Sequence, residues 1–142
     1  MVVVGNDLSI AKQITNNTNL EQSKGNYVEL FFYRVPKKNY DAVTRNFKQF
    51  IPLFEKHGVG IEYYRLGNRV AMGFCENIAK PLSASEDEDI WIVIQHFRDR
   101  KHSEDVYAAM KEDKSLEKDE AEFLSLITQG SSLVNGGFDR LR

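Results

Sequence analysis

The run from Tyr27 to Val35, Tyr-Val-Glu-Leu-Phe-Phe-Tyr-Arg-Val, constrains the fold more than any other part of the chain. Aromatic and β-branched residues at this density suit a pleated strand, and Pro36, with no N–H to give to a ladder, stops it. Side chains alternate across a strand, so Val28, Leu30 and Phe32 share one face while Phe31, Tyr33 and Val35 share the other. Both faces are apolar, and such a strand belongs in the interior of a sheet. A second run of the same kind, Ile90–Phe97, is its natural neighbour. With Glu29 opposite Gln95 in an antiparallel pair, Phe31 meets Val93 and Tyr33 meets Trp91. The other face then carries Val28, Leu30 and Phe32 with His96, Ile94 and Ile92.

Helical signals fill the intervening sequence. After Asn39, a residue suited to an N-cap, Tyr40, Val43, Phe47, Phe50 and Phe54 recur at spacings of three and four, which predicts an amphipathic helix of about eighteen residues. Pro52 falls inside it and predicts a kink near Lys48. Lys56, His57 and then Gly58 form an ending that suits both the helix dipole and a left-handed terminal residue. Ile61–Leu66 reads as a second strand, Val70–Cys75 as a short continuation or an edge segment, and residues 79–89, with Pro81 and the acidic run Glu86 to Asp89, as a solvated loop. Asp99 or Ser103 caps a second helix with Val106, Tyr107 and Met110 turned inward. Glu117, Asp119 and Glu120 open a third carrying Phe123, Leu124 and Ile127, which Gly130-Ser131-Ser132 breaks. A last strand, Leu133–Leu141, is interrupted at Gly136-Gly137 by a bulge or a close backbone approach. The order β-α-β-β-α-α-β with an antiparallel sheet is α+β and fits the ferredoxin-like split βαβ plan. Residues 1–26, rich in Asn, Gln, Thr and Ser, read as an amino-terminal arm with a short helix over Leu8–Ile14, and residues 27–142 as the domain.

The 142 residues, 42% hydrophobic and 28% charged, describe one globular domain large enough to hold a core without disulfides or metals. Nineteen basic against twenty-one acidic residues provide no general field for nucleic acid or anionic lipid. Aromatic side chains on central strands also suit RNA, yet the third strand lacks the Lys/Arg-Gly-Phe/Tyr pattern and follows four acidic residues. The start, Met1-Val2-Val3-Val4-Gly5, lacks the basic and apolar parts of a secretory signal, and no apolar run approaches the roughly 18 residues of a membrane helix. With the lone Cys75, these features predict a cytoplasmic protein with no membrane and no nucleic-acid partner.

Helices are expected over the aliphatic face of Val28, Leu30, Phe32, Ile92, Ile94 and His96. That leaves Glu29, Phe31, Tyr33, Trp91, Val93 and Gln95 on a face too apolar for water. A second copy of the same sheet is its simplest cover, which predicts a two-fold homodimer through that face. Glu29 and Gln95 then hydrogen-bond across the interface, with Tyr33, Arg65 or their symmetry mates. Alternatively, Glu29 serves as a general base in a mostly apolar cavity.

His57, His96 and His102 have no mutual spacing that presents two nitrogens to one metal, so no metal and no cofactor is expected. Glycine-rich phosphate loops and the Gly-x-Ser-x-Gly nucleophile pattern are absent. Cys75 has no base near it in sequence and reads as a buried, inert thiol. His57 serves the end of the first helix, and His102 sits in a charged helix start. His96, on the aliphatic face, is poorly matched to its neighbours. It either bonds a backbone carbonyl or a rim carboxylate, or acts as a base with Tyr63 as a second polar anchor and Phe47 and Phe50 as an apolar wall. The candidate site is therefore His96 and Glu29 for catalysis, with Tyr63, Phe47 and Phe50 for a small apolar or aromatic ligand.

Several short stretches carry a family likeness: Tyr27-Val28, then Val35-Pro36-Lys37-Lys38-Asn39 ahead of a helix with Asp41-Ala42, then Leu53-Phe54-Glu55-Lys56 with Gly58. Trp91-Ile92 and the closing Gly136-Gly137-Phe138 complete them. In these the chain resembles the YbaA-like family, a domain of unknown function in the dimeric α/β-barrel superfamily. Where that family carries a Pro-Phe-Asp-Gly-Lys-Arg-like stretch before its last strand, Thr128-Gln129-Gly130-Ser131-Ser132 stands here. The resemblance implies the ferredoxin-like fold and a homodimeric barrel, and it implies no reaction. Related barrels include cofactor-independent monooxygenases. The expected function is thus a homodimeric α/β-barrel protein that binds a small apolar or aromatic molecule, oxygenase-like if catalytic. The alternative is a non-catalytic dimeric ligand-sensing or accessory module.

Overall fold

The structure, a computed structural model, describes residues 25–130 and 133–142. The arm expected over residues 1–26 lies outside the described residues except for Gly25 and Asn26, as do Ser131 and Ser132 of the expected helix breaker. The elements are β1 (Tyr27–Pro36), α1 (Tyr40–Glu55), β2 (Gly60–Arg65), β3 (Glu88–Phe97), α2 (Arg100–Glu112), α3 (Glu117–Leu126) and β4 (Val134–Asp139). The strands form one antiparallel sheet in the order β2-β3-β1-β4, which is the ferredoxin-like α+β arrangement. The register between β1 and β3 is the expected one, with Glu29 opposite Gln95, Phe31 opposite Val93 and Tyr33 opposite Trp91. No helix among the described residues is long and apolar enough to cross a membrane.

Local outcomes differ from the sequence reading where tertiary partners intervene. Asn39 precedes α1 without a side-chain cap; its Nδ2 instead donates to the Leu126 carbonyl at 2.8 Å, tying the start of α1 to the end of α3. Pro52 stays inside α1, which runs as one helix from Tyr40 to Glu55. Gly58 takes the left-handed conformation expected of it, at φ +75°. Val70–Cys75 contributes only an isolated bridge between Met72 and Cys75, and Cys75 is exposed rather than buried. Glu88 and Asp89 belong to β3 rather than to a solvated loop. Asp99 caps α2, accepting from the His102 amide at 2.7 Å. His102 itself is buried, with Nδ1 accepting from the Arg98 amide at 3.1 Å and Nε2 donating to the His57 carbonyl at 2.8 Å. β4 pairs with β1 without a bulge, and the close approach lies at Gly137, where a Cβ would run into the Tyr27 hydroxyl oxygen.

The helices cover the opposite face of the sheet from the one expected. Tyr27, Tyr33, Val35, Trp91, Val93 and Phe97 are all buried at 7% exposure or less, and they pack with Val43, Phe47, Phe54, Val106 and Met110 of the helices. The face of Val28, Leu30, Phe32, Ile92 and Ile94 carries no helix, and these residues are only partly buried. Phe138 of β4, opposite Val28, is 51% exposed, and Tyr64 of β2, opposite Ile92, is likewise half exposed. The physical reason lies in volume: Tyr33, Phe47, Trp91 and Phe123 interlock edge to face, which fills the layer between helix and sheet better than the flat aliphatic surface would.

Candidate functional site

The covered face holds two apolar clusters, one around Tyr27 and Phe97 and one around Tyr33, Val35 and Trp91. Between them, Glu29 and Gln95 interrupt the apolar stripe of the paired strands. At this interruption the helices leave a cavity of about 420 Å³, walled by Phe31, Phe47, Phe50, Ile61, Tyr63 and Met110 among others, with Gln95 and Tyr107 as its polar side. Phe47 stacks on Tyr63 with ring centroids 3.9 Å apart and planes 18° from parallel, which fixes that wall. Both residues were expected at a ligand site, and Phe50 lies in the same wall.

The polar groups of the cavity are phenols and one amide. Burial pushes the Tyr63 and Tyr33 hydroxyls well above the ordinary phenol range, and the neighbourhood of Tyr63 adds to the effect on Tyr33. Burial does the same to Tyr107, reinforced by the charge of Glu29 and by Tyr27. All three are therefore neutral donors. The Tyr107 hydroxyl donates to Gln95 Oε1, which fixes the amide with its Nε2 turned elsewhere. Gln95 is 6% exposed, and neither its Nε2 nor the Tyr63 hydroxyl has a hydrogen-bond partner among the described residues. At the mouth stand Lys111, Asp113, Glu117 and Glu120. The Ser115 hydroxyl and amide hold the Asp113 carboxyl below the usual range, so it stays charged.

The expected anchors do not converge. His96 lies on the other face of β3, where its Nε2 meets Glu62 Oε1 at 2.5 Å while the Tyr64 hydroxyl donates to Glu62 Oε2. The carboxylate partner weighed in the sequence reading is the one present. Tyr63 points to the helices and His96 to the open face, so they share no cavity. Glu29 is on the covered face but outside the cavity wall; its Oε1 accepts from the Tyr27 hydroxyl at 2.8 Å and its Oε2 from Asn135 Nδ2 at 2.9 Å. Among the described residues, neither Tyr33 nor Arg65 is a hydrogen-bond partner of Glu29 or Gln95. Among the described residues no group of three His, Cys, Asp or Glu side chains comes together as a metal ligand set.

The family model for a protein of unknown function (DUF1428) matches residues 26–125, well over half of the chain. The chain belongs to that family. No curated protein matches this DUF1428 chain. Tyr107 and Gln95, which form the polar side of the cavity in the DUF1428 chain, are among the lining residues that the sequence did not single out as site residues. The signal for Tyr107 was present in the inward stripe Val106, Tyr107 and Met110, which points at the one uncharged polar residue of β3 on the covered face.

Proposed function

We propose that this DUF1428 protein is a cytoplasmic homodimeric binding module for a small aromatic molecule, held in the cavity between sheet and helices. The observation that carries the reading is the aromatic cavity itself, with Phe47, Phe50 and Tyr63 as walls and a few polar groups on one side, the usual make-up of a ligand site. His96 and Glu29, the acid–base candidates, stand outside that wall, which favours binding without turnover over an oxygenase-like reaction. The open sheet face supports the dimer, because Val28, Leu30, Phe32, Ile92 and Ile94 make a contiguous apolar surface of the kind a two-fold partner covers. Thermal unfolding with toluene and phenol tests the cavity. At saturation each should raise Tm by about 2–4 °C. Ile61→Trp places an indole in the cavity and should abolish the rise. Equal rises in both proteins would refute the site.

A further inference from the structure

We infer that the ligand of this cavity is an uncharged aromatic compound bearing a hydrogen-bond-accepting oxygen, received by Gln95 Nε2 and the Tyr63 hydroxyl. The inference rests on the cavity being a ligand site and adds the chemistry that the ligand carries. Gln95 and Tyr63 are diagonal neighbours on the covered face, since Tyr63 pairs with Val93 and Ile61 with Gln95. Gln95 is more than nine-tenths buried, its amide oxygen is taken by Tyr107, and its N–H groups have no partner among the described residues. These N–H groups open on the cavity, where a ligand oxygen accepts from them and a hydrocarbon leaves them unanswered. Tyr63, held neutral by burial, presents a second donor of the same sense.

Charge narrows the class further. The interior offers neutral donors only, whereas a buried anion needs a charged partner. An anion would also meet Asp113, Glu117 and Glu120 at the mouth, offset by Lys111 there and by Lys56 and His57 within electrostatic reach of Asp113. A cation finds carboxylates at the mouth and Glu29 within electrostatic reach of Tyr107, but it leaves the Gln95 and Tyr63 donors unanswered.

Four probes of similar size test this on the intact protein by calorimetry: acetophenone, ethylbenzene, benzoate and 1-phenylethylamine. Acetophenone should bind about tenfold more tightly than ethylbenzene, in line with one to two neutral hydrogen bonds. Benzoate and the amine should bind more weakly than acetophenone. Gln95→Leu and, separately, Tyr63→Phe should each cut the advantage of acetophenone at least threefold while leaving ethylbenzene affinity within about twofold, the scale of a single lost neutral hydrogen bond. Parity of acetophenone and ethylbenzene in the wild type, tighter binding of benzoate or the amine, or a preference untouched by both substitutions would overturn the inference while leaving the cavity reading intact. Failure of all four probes to bind would overturn both.

Discussion

Glu88, the first residue of β3, joins three parts of the chain through one carboxylate. Its Oε1 accepts from Arg34 Nη1 at 3.3 Å and from the Ser85 amide at 3.0 Å, and its Oε2 accepts from the Thr128 hydroxyl. Burial pushes this carboxyl up, but the Ser85 amide, the Thr128 hydroxyl and the Arg34 guanidinium outweigh burial and hold it below its ordinary value of 4.5. A carboxyl lowered on folding stabilises the native chain above the unfolded pKa, and that contribution is lost as pH falls through the lower folded value. Glu88→Gln should therefore cost on the order of 1–3 kcal/mol at pH 7, from the weakened hydrogen bonds and the uncompensated Arg34. The gap to the wild type should narrow as pH falls below 4.5, the ordinary value for this group. Urea titrations of both proteins at pH 7 and pH 3 measure it, and a gap that does not change with pH would refute the assignment. In the sequence this residue is indistinguishable from the rest of the run Glu86 to Asp89, because the partner that singles it out is Arg34, 54 positions away.

The strands and helices were legible because each rests on local pattern: the β1 and β3 runs, the aromatic spacing of α1, the glycine after His57. The register of β1 against β3 followed too, since the polar pair Glu29 and Gln95 can align in few ways. Which face the helices choose did not follow, because parity groups residues without saying which group is covered, and both groups here are apolar. The displaced choice moved His96 out of the site while α1 carried Phe47 and Phe50 into it and β2 carried Tyr63. A clue was present in β2, where Glu62 shares the face of His96, and a carboxylate marks the more open side of a sheet. Contacts between elements also reassign local signals, as at Asn39. As an N-cap, it would be replaced without loss by Asp, which accepts equally well. As a donor to the Leu126 carbonyl, it has no such substitute. Asn39→Asp should thus destabilise by about 1 kcal/mol or more, at least as much as Asn39→Ala. Chemical denaturation of the two variants decides between the roles, and an Asp variant as stable as the wild type would restore the cap.

At the scale of the whole molecule, the two faces of β3 make opposite demands on adjacent residues. Val93 is 7% exposed and packs in the cluster of Tyr33, Phe47 and Trp91, so an aspartate there buries an unpaired charge inside one chain. Ile94, its immediate neighbour, lies opposite Leu30 and Glu62 on the face without helices, where an aspartate in the single chain is within reach of water. If two copies meet through that face, the same aspartate is trapped between them near its symmetry mate, and the interface rather than the fold takes the penalty. Val93→Asp should accordingly lose cooperative unfolding altogether. Ile94→Asp should keep the secondary structure and a cooperative transition while sedimenting as a monomer at micromolar concentration, where the wild type should sediment as a dimer. The comparison separates folding from assembly in a way that neither variant does alone. A wild type that sediments as a monomer, or an Ile94→Asp protein that remains a dimer, would show that the open face is not where the copies meet.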